Sequence, residues 1–206
     1  MIDRTWSWAS SAADLEERRR HAEQVVGQRL RRVRYFVIDY FREERAPGLS
    51  GHRIVVDDAE WMSPTWACEG FDSVDFGVEL EMVNGEVFSV TWDPPGRTEG
   101  IGIRLRPLTG SALLEGADVA IWSVEDRSRW SKVMGRPIAG IELDYRDWGQ
   151  PEGFWCPSMR LSFTEHTVVM VLGDQDRAGA LAPSADNVAV LFDPVTAELP
   201  QFASNW

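Results

Sequence analysis

The sequence contains few of the features that mark membrane, secreted or nucleic-acid-binding proteins. Its longest apolar stretches are about six residues, as at 167–172, against the roughly 20 that a membrane-spanning helix needs. The first ten residues lack a basic segment followed by an apolar one, so export by a secretory signal is not expected. Positive charge is scarce, since 21 Lys and Arg residues against 33 Asp and Glu residues give a net charge of −12. This balance argues against general affinity for nucleic acid or anionic membranes.

Cysteine is also scarce, with Cys68 and Cys156 the only two in the chain. Each follows an aromatic segment, Trp66-Ala67 in one case and Trp155 in the other. We interpret them as two buried, reduced thiols of a cytoplasmic protein, with a disulfide or a reactive thiol as the alternatives.

Catalytic and metal-binding motifs are missing as well. The three histidines, His21, His52 and His166, are far apart in the sequence and do not have metal-ligand spacing. The glycine-rich segment at 100–102 is not followed by the residues of a phosphate-binding loop. We therefore predict no catalytic residue, no metal and no cofactor.

The composition that remains is typical of a soluble globular protein. The 206 residues are 44% hydrophobic and 26% charged, which suits one large domain or two small ones. Lys132 is the only lysine beside twenty arginines, a composition typical of GC-rich bacteria.

An internal similarity is the most informative feature of the sequence. Residues 78–93 align without a gap with residues 159–174, with apolar residues in the same phase and an aspartate, Asp93 or Asp174, at the end of each. Downstream, residues 102–107 match residues 189–194, and each segment ends in proline, which cannot continue a strand ladder. We predict that one module occurs twice.

A helix is predicted before each copy. Ser11 and Ser123 each begin a Ser-x-x-Asp pattern, in which the hydroxyl caps a free backbone amide and the carboxylate suits the positive helix end. Both predicted helices stop at a glycine, Gly27 and Gly135. The extended stretch that follows each glycine can be aligned on the glycines or on an Asp-Tyr pair, and the two alignments differ by three residues.

The two aligned segments are predicted to be β-hairpins. A three-residue loop, Val83 to Gly85 with Gly85 left-handed, places apolar residues opposite one another, whereas a two-residue turn does not. The same loop in the second copy would place His166 at the left-handed position. The predicted pairs are Val78–Val90 and Leu80–Phe88 in the first hairpin and Met159–Val171 and Leu161–Val169 in the second.

Together these elements predict an α+β fold. Each half has the order helix, strand, hairpin, strand, and short connections between strands favour mainly antiparallel sheet with the helices packed on one face. The halves span about 10–108 and 122–195. We expect them to share a core or join sheets within a single domain covering 1–206.

The halves differ mainly in an insertion at about 41–75, which we call the excursion. It is rich in carboxylates, and long connections of this kind are often functional. Asp57, Asp58 and Glu60 are its clustered acids, while Trp61 and Trp66 are candidate aromatic anchors; an edge strand is predicted near 53–56. Large aromatic residues among like charges favour an interface with a cationic partner.

The repeated pattern resembles uncharacterised bacterial proteins built from strand–hairpin–strand modules, some of them similar to immunity proteins that neutralise toxins. The resemblance lies in residues 78–93, 159–174 and 188–194. It implies a non-catalytic, immunity-like role and transfers no catalytic residue.

Two functional hypotheses follow. The first is a cytoplasmic protein-interaction protein, not an enzyme, that binds a cationic protein, for instance a basic toxin, through Asp57, Asp58, Glu60, Trp61 and Trp66. The alternative is a small-molecule-binding protein or enzyme with a site between the repeats, where Asp93 and Asp174 would face one another. Homodimerisation through a free strand edge is a further possibility.

Overall fold

The computed structural model describes residues 8–45, 47–48, 51–93, 100–111, 114, 117–126, 129–149, 153–184 and 186–194. This part of the chain contains the helices α1 (Ala12–Ala22), α2 (Arg42–Arg45) and α3 (Asp58–Met62). Its strands are β1 (Trp8–Ala9), β2 (Leu30–Ile38), β3 (His52–Ile54), β4 (Phe71–Val74), β5 (Gly77–Met82), β6 (Val87–Asp93), β7 (Gly100–Arg104), β8 (Val119–Ser123), β9 (Gly140–Leu143), β10 (Arg146–Gly149), β11 (Gly153–Trp155), β12 (Ser158–Ser162), β13 (Thr167–Leu172), β14 (Asp174–Gln175), β15 (Leu181–Ala182) and β16 (Val188–Phe192).

Two large sheets dominate the described structure. One has six strands in the order β3-β8-β2-β5-β6-β7, and the other has five in the order β4-β16-β13-β12-β9. Every pair in them is antiparallel except β3 with β8, which is parallel. Two small antiparallel sheets, β1-β11-β10 and β14-β15, complete the set. The predicted α+β class with mostly antiparallel sheet is confirmed.

The main apolar core takes side chains from both large sheets. Val33, Leu80 and Val90 of the six-stranded sheet belong to the same buried cluster as Met170 and Val190 of the five-stranded sheet. Because successive strand residues point to opposite faces, Val169 and Val171 lie instead in a smaller cluster on the outer face.

The helices do not cover one face of the sheet as predicted. The two large sheets cover each other's core-forming faces, since one buried cluster contains residues of both sheets. Of the three described helices only α1 is longer than five residues, and it packs against β1 and β9. A single helix of this length has too little apolar surface to cover a sheet, so the sheets supply that surface.

The predicted helix starts have different outcomes. Ser11 caps α1 by accepting a hydrogen bond from the Asp14 N–H at 3.1 Å, as predicted. Ser123 is instead the last residue of β8, paired with Arg34, and a short 3-10 turn at 129–132 follows it. The prediction of a second helix is wrong, because Ser123, the expected N-cap, is paired in a strand instead. Gly135 nevertheless has the positive φ of +68° that was expected of a helix-ending glycine.

The two hairpins differ by one residue. In the first, Val78 pairs with Val90 and Leu80 with Phe88, and Gly85 has φ +89°, which confirms the three-residue loop. In the second, the Phe163 N–H donates to the His166 carbonyl across a two-residue loop, so His166 is not at a left-handed position. The observed pairs there are Met159–Met170 and Leu161–Val168, and the predicted pairs with Val171 and Val169 are wrong.

Candidate functional site

The excursion connects the two large sheets. Its strand β3 pairs with β8 at one edge of the six-stranded sheet, close to the predicted edge strand at 53–56. Its last strand, β4, pairs with β16 at the edge of the five-stranded sheet. The excursion is therefore paired with both large sheets; α2 precedes β3 in the sequence, and α3 lies between β3 and β4.

Arg53 organises the middle of the excursion. Its guanidinium donates to Asp39 Oδ2 at 2.7 Å and to Glu60 Oε2 at 2.6 Å, which ties β3 to α3 and to the end of β2. The hydrogen bonds that Arg53 donates to Glu60, followed by those that it donates to Asp39, raise the pKa of Arg53. Glu60 was predicted to face a partner, but its charge is already neutralised within the chain.

The other two predicted carboxylates are exposed. Asp57 caps α3, accepting a hydrogen bond from the Ala59 N–H at 2.8 Å. Asp58 follows it in the first turn of the helix. Because both side chains are exposed, these two acidic residues contribute to the negative surface.

The two predicted tryptophan anchors differ in exposure. Trp66 is 4% exposed and belongs to the main core, so its prediction as an exposed anchor is wrong. Its ring meets Tyr35 edge-to-face at 5.1 Å and Trp122 at 5.9 Å between ring centroids. Trp61 is partly buried and packs at 4.9 Å from Trp122. Large rings gain more from such burial and edge-to-face packing than from contact with water.

The most exposed apolar side chains of the excursion are aliphatic and are not those of the predicted tryptophans. Of the eight large apolar side chains that the described residues expose, five lie between 40 and 62. Ile54, Val56 and Met62 are 65%, 82% and 85% exposed. Together with Asp57 and Asp58 they form what we call the β3–α3 surface.

The local geometry places four of these residues in two same-face pairs. Ile54 and Val56 are two positions apart and so point to the same side of the extended segment. Asp58 and Met62 are four positions apart and lie on one face of α3. Sequence reasoning missed the aliphatic residues, although the alternation of outward Ile54 and Val56 with inward Arg53 and Val55 was a usable signal.

A groove lies beside the excursion. It has a volume of about 620 Å³. Its lining consists of Trp61, Pro64, Trp66, Ala67, Cys68, Asp72, Arg129 and Lys132. Most of these residues come from the excursion, and the two cations come from the 3-10 turn after β8. Residues separated by more than fifty positions in the sequence meet here, so no local pattern predicted the groove.

A buried hydrogen-bond network lies behind the groove and includes Asp72, one of the lining residues. The Tyr35 hydroxyl donates to Asp72 Oδ2 at 2.8 Å and accepts from Trp130 Nε1 at 2.7 Å. Arg129 approaches Asp72 Oδ1 at 3.5 Å. Burial raises the pKa of Asp72, and burial together with the nearby Asp72 charge raises the pKa of Tyr35 well above its usual value.

Of the alternative aspartate pair, only Asp174 has a side chain that the structure describes. Asp174 accepts a hydrogen bond from the Ser73 hydroxyl at 2.5 Å and another from the Gln175 N–H at 2.7 Å, so it links β14 to β4. It does not line the groove. Asp93 is the last residue of β6 and pairs with Gly100 of β7 in the six-stranded sheet, and its side chain lies outside the described residues.

Other features bear on the sequence predictions. Cys68 and Cys156 are both free thiols, so the alternative of a disulfide is wrong. Among the described residues there is no group of three His, Cys, Asp or Glu side chains arranged to hold a metal ion. Likewise, no described helix has the length and apolar character needed to cross a membrane.

No known protein family, curated protein or solved structure matches the chain.

Proposed function

We propose that this chain is a non-catalytic, immunity-like interaction protein that binds a cationic partner protein through its β3–α3 surface. The observation that carries the proposal is the exposure of Ile54, Val56 and Met62 directly beside the carboxylates of Asp57 and Asp58. Apolar contacts supply most of the binding energy in such interfaces, while charge speeds the encounter and selects the partner. The cationic partner, for which a basic toxin is one candidate, would supply lysine or arginine side chains to the carboxylates.

The distribution of ion pairs favours a negative surface here. Two nearby arginines are engaged within the chain, because Arg53 is held by Asp39 and Glu60 and the buried Arg42 lies 3.4 Å from Asp39. Glu43 and Glu44 of α2 are exposed and add two more carboxylates to the excursion. In this arrangement Trp61 and Trp66 would support the surface from inside.

We also propose that the protein arose by duplication of one module within a single domain. The strand orders β2-β5-β6-β7 and β9-β12-β13-β16 are the same for the two halves. Tyr35 pairs with Val78 and Leu143 pairs with Met159, each eight residues after its glycine and at the first residue of the aligned hairpin. This register favours the alignment on Gly27 and Gly135 over the one on the Asp-Tyr pairs.

The contact between the halves supports the same proposal. Arg29 and Pro137 each lie two residues beyond their glycine, and they form an antiparallel bridge with each other. A segment that pairs antiparallel with its own equivalent is the arrangement found across a two-fold axis. A two-fold dimer of the ancestral module, fused into one chain, would produce this contact.

A cytoplasmic location is part of the proposal, because two free thiols are typical of a reducing compartment. The outer edge of β3 has no strand partner in the described part of the chain. A second copy of the chain is therefore an alternative occupant of this surface. Sedimentation of the purified protein would reveal such a homodimer.

The test uses a short peptide of alternating Lys and Val, with a peptide of alternating Glu and Val as its charge-reversed counterpart. We expect the Lys peptide alone to bind, measured by fluorescence anisotropy, and Ile54→Ser/Val56→Ser/Met62→Ser to weaken binding by about tenfold. The control Val26→Ser/Val83→Ser/Leu105→Ser alters exposed apolar residues elsewhere and should change binding less than twofold.

Charge is tested in the same way. Asp57→Asn/Asp58→Asn removes two carboxylates, and asparagine still caps a helix. Glu142→Gln/Glu165→Gln makes the same change in net charge at exposed positions outside the surface. Equal weakening by both double variants, or no loss with the triple serine variant, would show that the peptide binds by general charge attraction and would refute the proposal.

A further inference from the structure

The groove beside the excursion has rigid aromatic walls. The ring centroids of Trp61 and Trp66 are 6.2 Å apart and their planes meet at 82°, so the two indoles form a corner. Trp66 is buried in the core, and Trp61 is held against Trp122. Because these rings are ordered before any ligand arrives, a flat molecule could pack on them with little loss of side-chain entropy.

The charged side chains that line the groove have a net positive charge. Arg129 and Lys132 contribute two positive charges, and Asp72 contributes one carboxylate. The Asp72 carboxylate is already bound by the Tyr35 hydroxyl at 2.8 Å. In a chain with a net charge of −12, this groove is a local site of positive charge.

The two cations retain donors for a ligand. The contacts of Arg129 with Asp72 Oδ1 and with the Cys68 carbonyl oxygen are both 3.5 Å, longer than a good hydrogen bond. The Lys132 side chain is exposed and has no ion pair within 4 Å among the residues that the structure describes, and its charge acts on the nearby Asp193, whose pKa it helps to lower. An anionic group entering the groove would find a guanidinium and an ammonium.

We propose that this groove binds a small planar aromatic carboxylate. The ring packs in the corner formed by Trp61 and Trp66 with Pro64 beside it, and the carboxylate is held by Arg129 and Lys132. The volume of about 620 Å³ lies within the range of small-molecule sites, roughly 300–1,000 Å³. A single negative charge matches the excess of one positive charge in the lining.

The test measures calorimetric binding of three probes to the full chain. They are indole-3-acetate, the neutral indole-3-acetamide and the cationic tryptamine, which share the ring and differ in charge. We expect indole-3-acetate to bind about tenfold more tightly than the amide, since hydrogen bonds to charged groups are strong, and tryptamine to bind least.

The groove is then altered directly. Arg129→Gln/Lys132→Gln should weaken indole-3-acetate by about tenfold and leave the amide within about twofold. Lys132→Gln alone, at an exposed position, keeps the fold and should weaken indole-3-acetate by about threefold. Arg146→Gln/Arg160→Gln, with the same change in net charge outside the groove, should have no such effect.

Trp61→Leu tests the aromatic wall, and it should weaken the acetate and the amide equally. Circular dichroism confirms that each variant is folded. The proposal is overturned if the three probes bind equally, if indole-3-acetate does not bind up to millimolar concentration, or if the control double variant weakens it as much as the groove variants do. It is supported if, of all the variants, only those of Arg129 and Lys132 weaken the acetate more than the amide.

Discussion

At the scale of single residues, Asp72 is a carboxylate enclosed by protein. It is 4% exposed, and its partners are the Tyr35 hydroxyl and the more distant Arg129 guanidinium. Burial disfavours the charged form and raises the pKa of Asp72, even though both partners act in the opposite direction. The native protein therefore binds a proton at Asp72 more readily than the unfolded chain does.

This proton affinity predicts a pH dependence of stability. Between the unfolded pKa of aspartate, about 3.9, and the raised native pKa, the native state holds more protons, so this residue's contribution to stability falls as pH rises. Asp72→Asn cannot ionise and should lose less stability across that window than the wild type. Urea unfolding at a series of pH values measures the difference, with Asp186→Asn as the control at an exposed aspartate. A difference between Asp72→Asn and the wild type that does not change with pH would contradict the prediction.

Residue types alone did not identify which side chains are exposed. The excursion was located correctly as a long, acidic segment, but Trp66 was predicted to be partly exposed and the exposed aliphatic residues were overlooked. Trp66 is buried because Tyr35 and Trp122, distant in sequence, offer edge-to-face partners. Ile54 and Val56 are exposed because β3 is an edge strand with its second face uncovered. Both outcomes depend on tertiary contacts that composition does not contain.

At the scale of elements, the turn of the first hairpin depends on Gly85. Its φ of +89° lies in the left-handed region, which a residue with a side chain adopts at a cost of about 1–2 kcal/mol. We expect Gly85→Ala to lower the free energy of unfolding by about that amount. Nothing lies within 4 Å of a Cβ added at Gly85, so any loss comes from the backbone and not from a clash.

Gly140 offers a matched control for this prediction. It also has open space around an added Cβ, but its φ is not in the left-handed region. Gly140→Ala should therefore be neutral or slightly stabilising, because alanine reduces the entropy of the unfolded chain. Chemical denaturation of both variants makes the comparison, and similar effects for the two glycines would be inconsistent with a left-handed requirement at Gly85.

The same glycine explains which elements were predictable. The first hairpin register followed from Gly85 and from matching apolar residues across the strands. The second hairpin has no glycine in its loop, and its two-residue turn shifts every pair of the returning strand by one position. The second helix failed because Ser123 pairs in β8 and Trp130 is anchored by Tyr35, two long-range contacts that override a local capping pattern.

At the scale of the whole molecule, the two halves complete each other's sheets. Strand β4 comes from the first half, yet it pairs with β16 of the second. Strand β8 runs from the segment between the halves into the start of the second half, yet it pairs with β2 and β3 of the first. Neither large sheet is complete without a strand from the other half, and the main core is shared between them. Such an arrangement favours unfolding in one cooperative step.

Cooperative unfolding can be tested with one core truncation in each half. Leu80 and Met170 are both fully buried, so Leu80→Ala and Met170→Ala should each cost about 2–5 kcal/mol. If the halves unfold together, each variant shifts a single transition, and far-ultraviolet circular dichroism and calorimetry report the same midpoint. If the halves unfold separately, each truncation would move only one of two transitions, because the intact half would keep its own core. Two resolved transitions would therefore contradict the shared core as the unit of stability, and with it the single-domain organisation that we propose for the duplicated module.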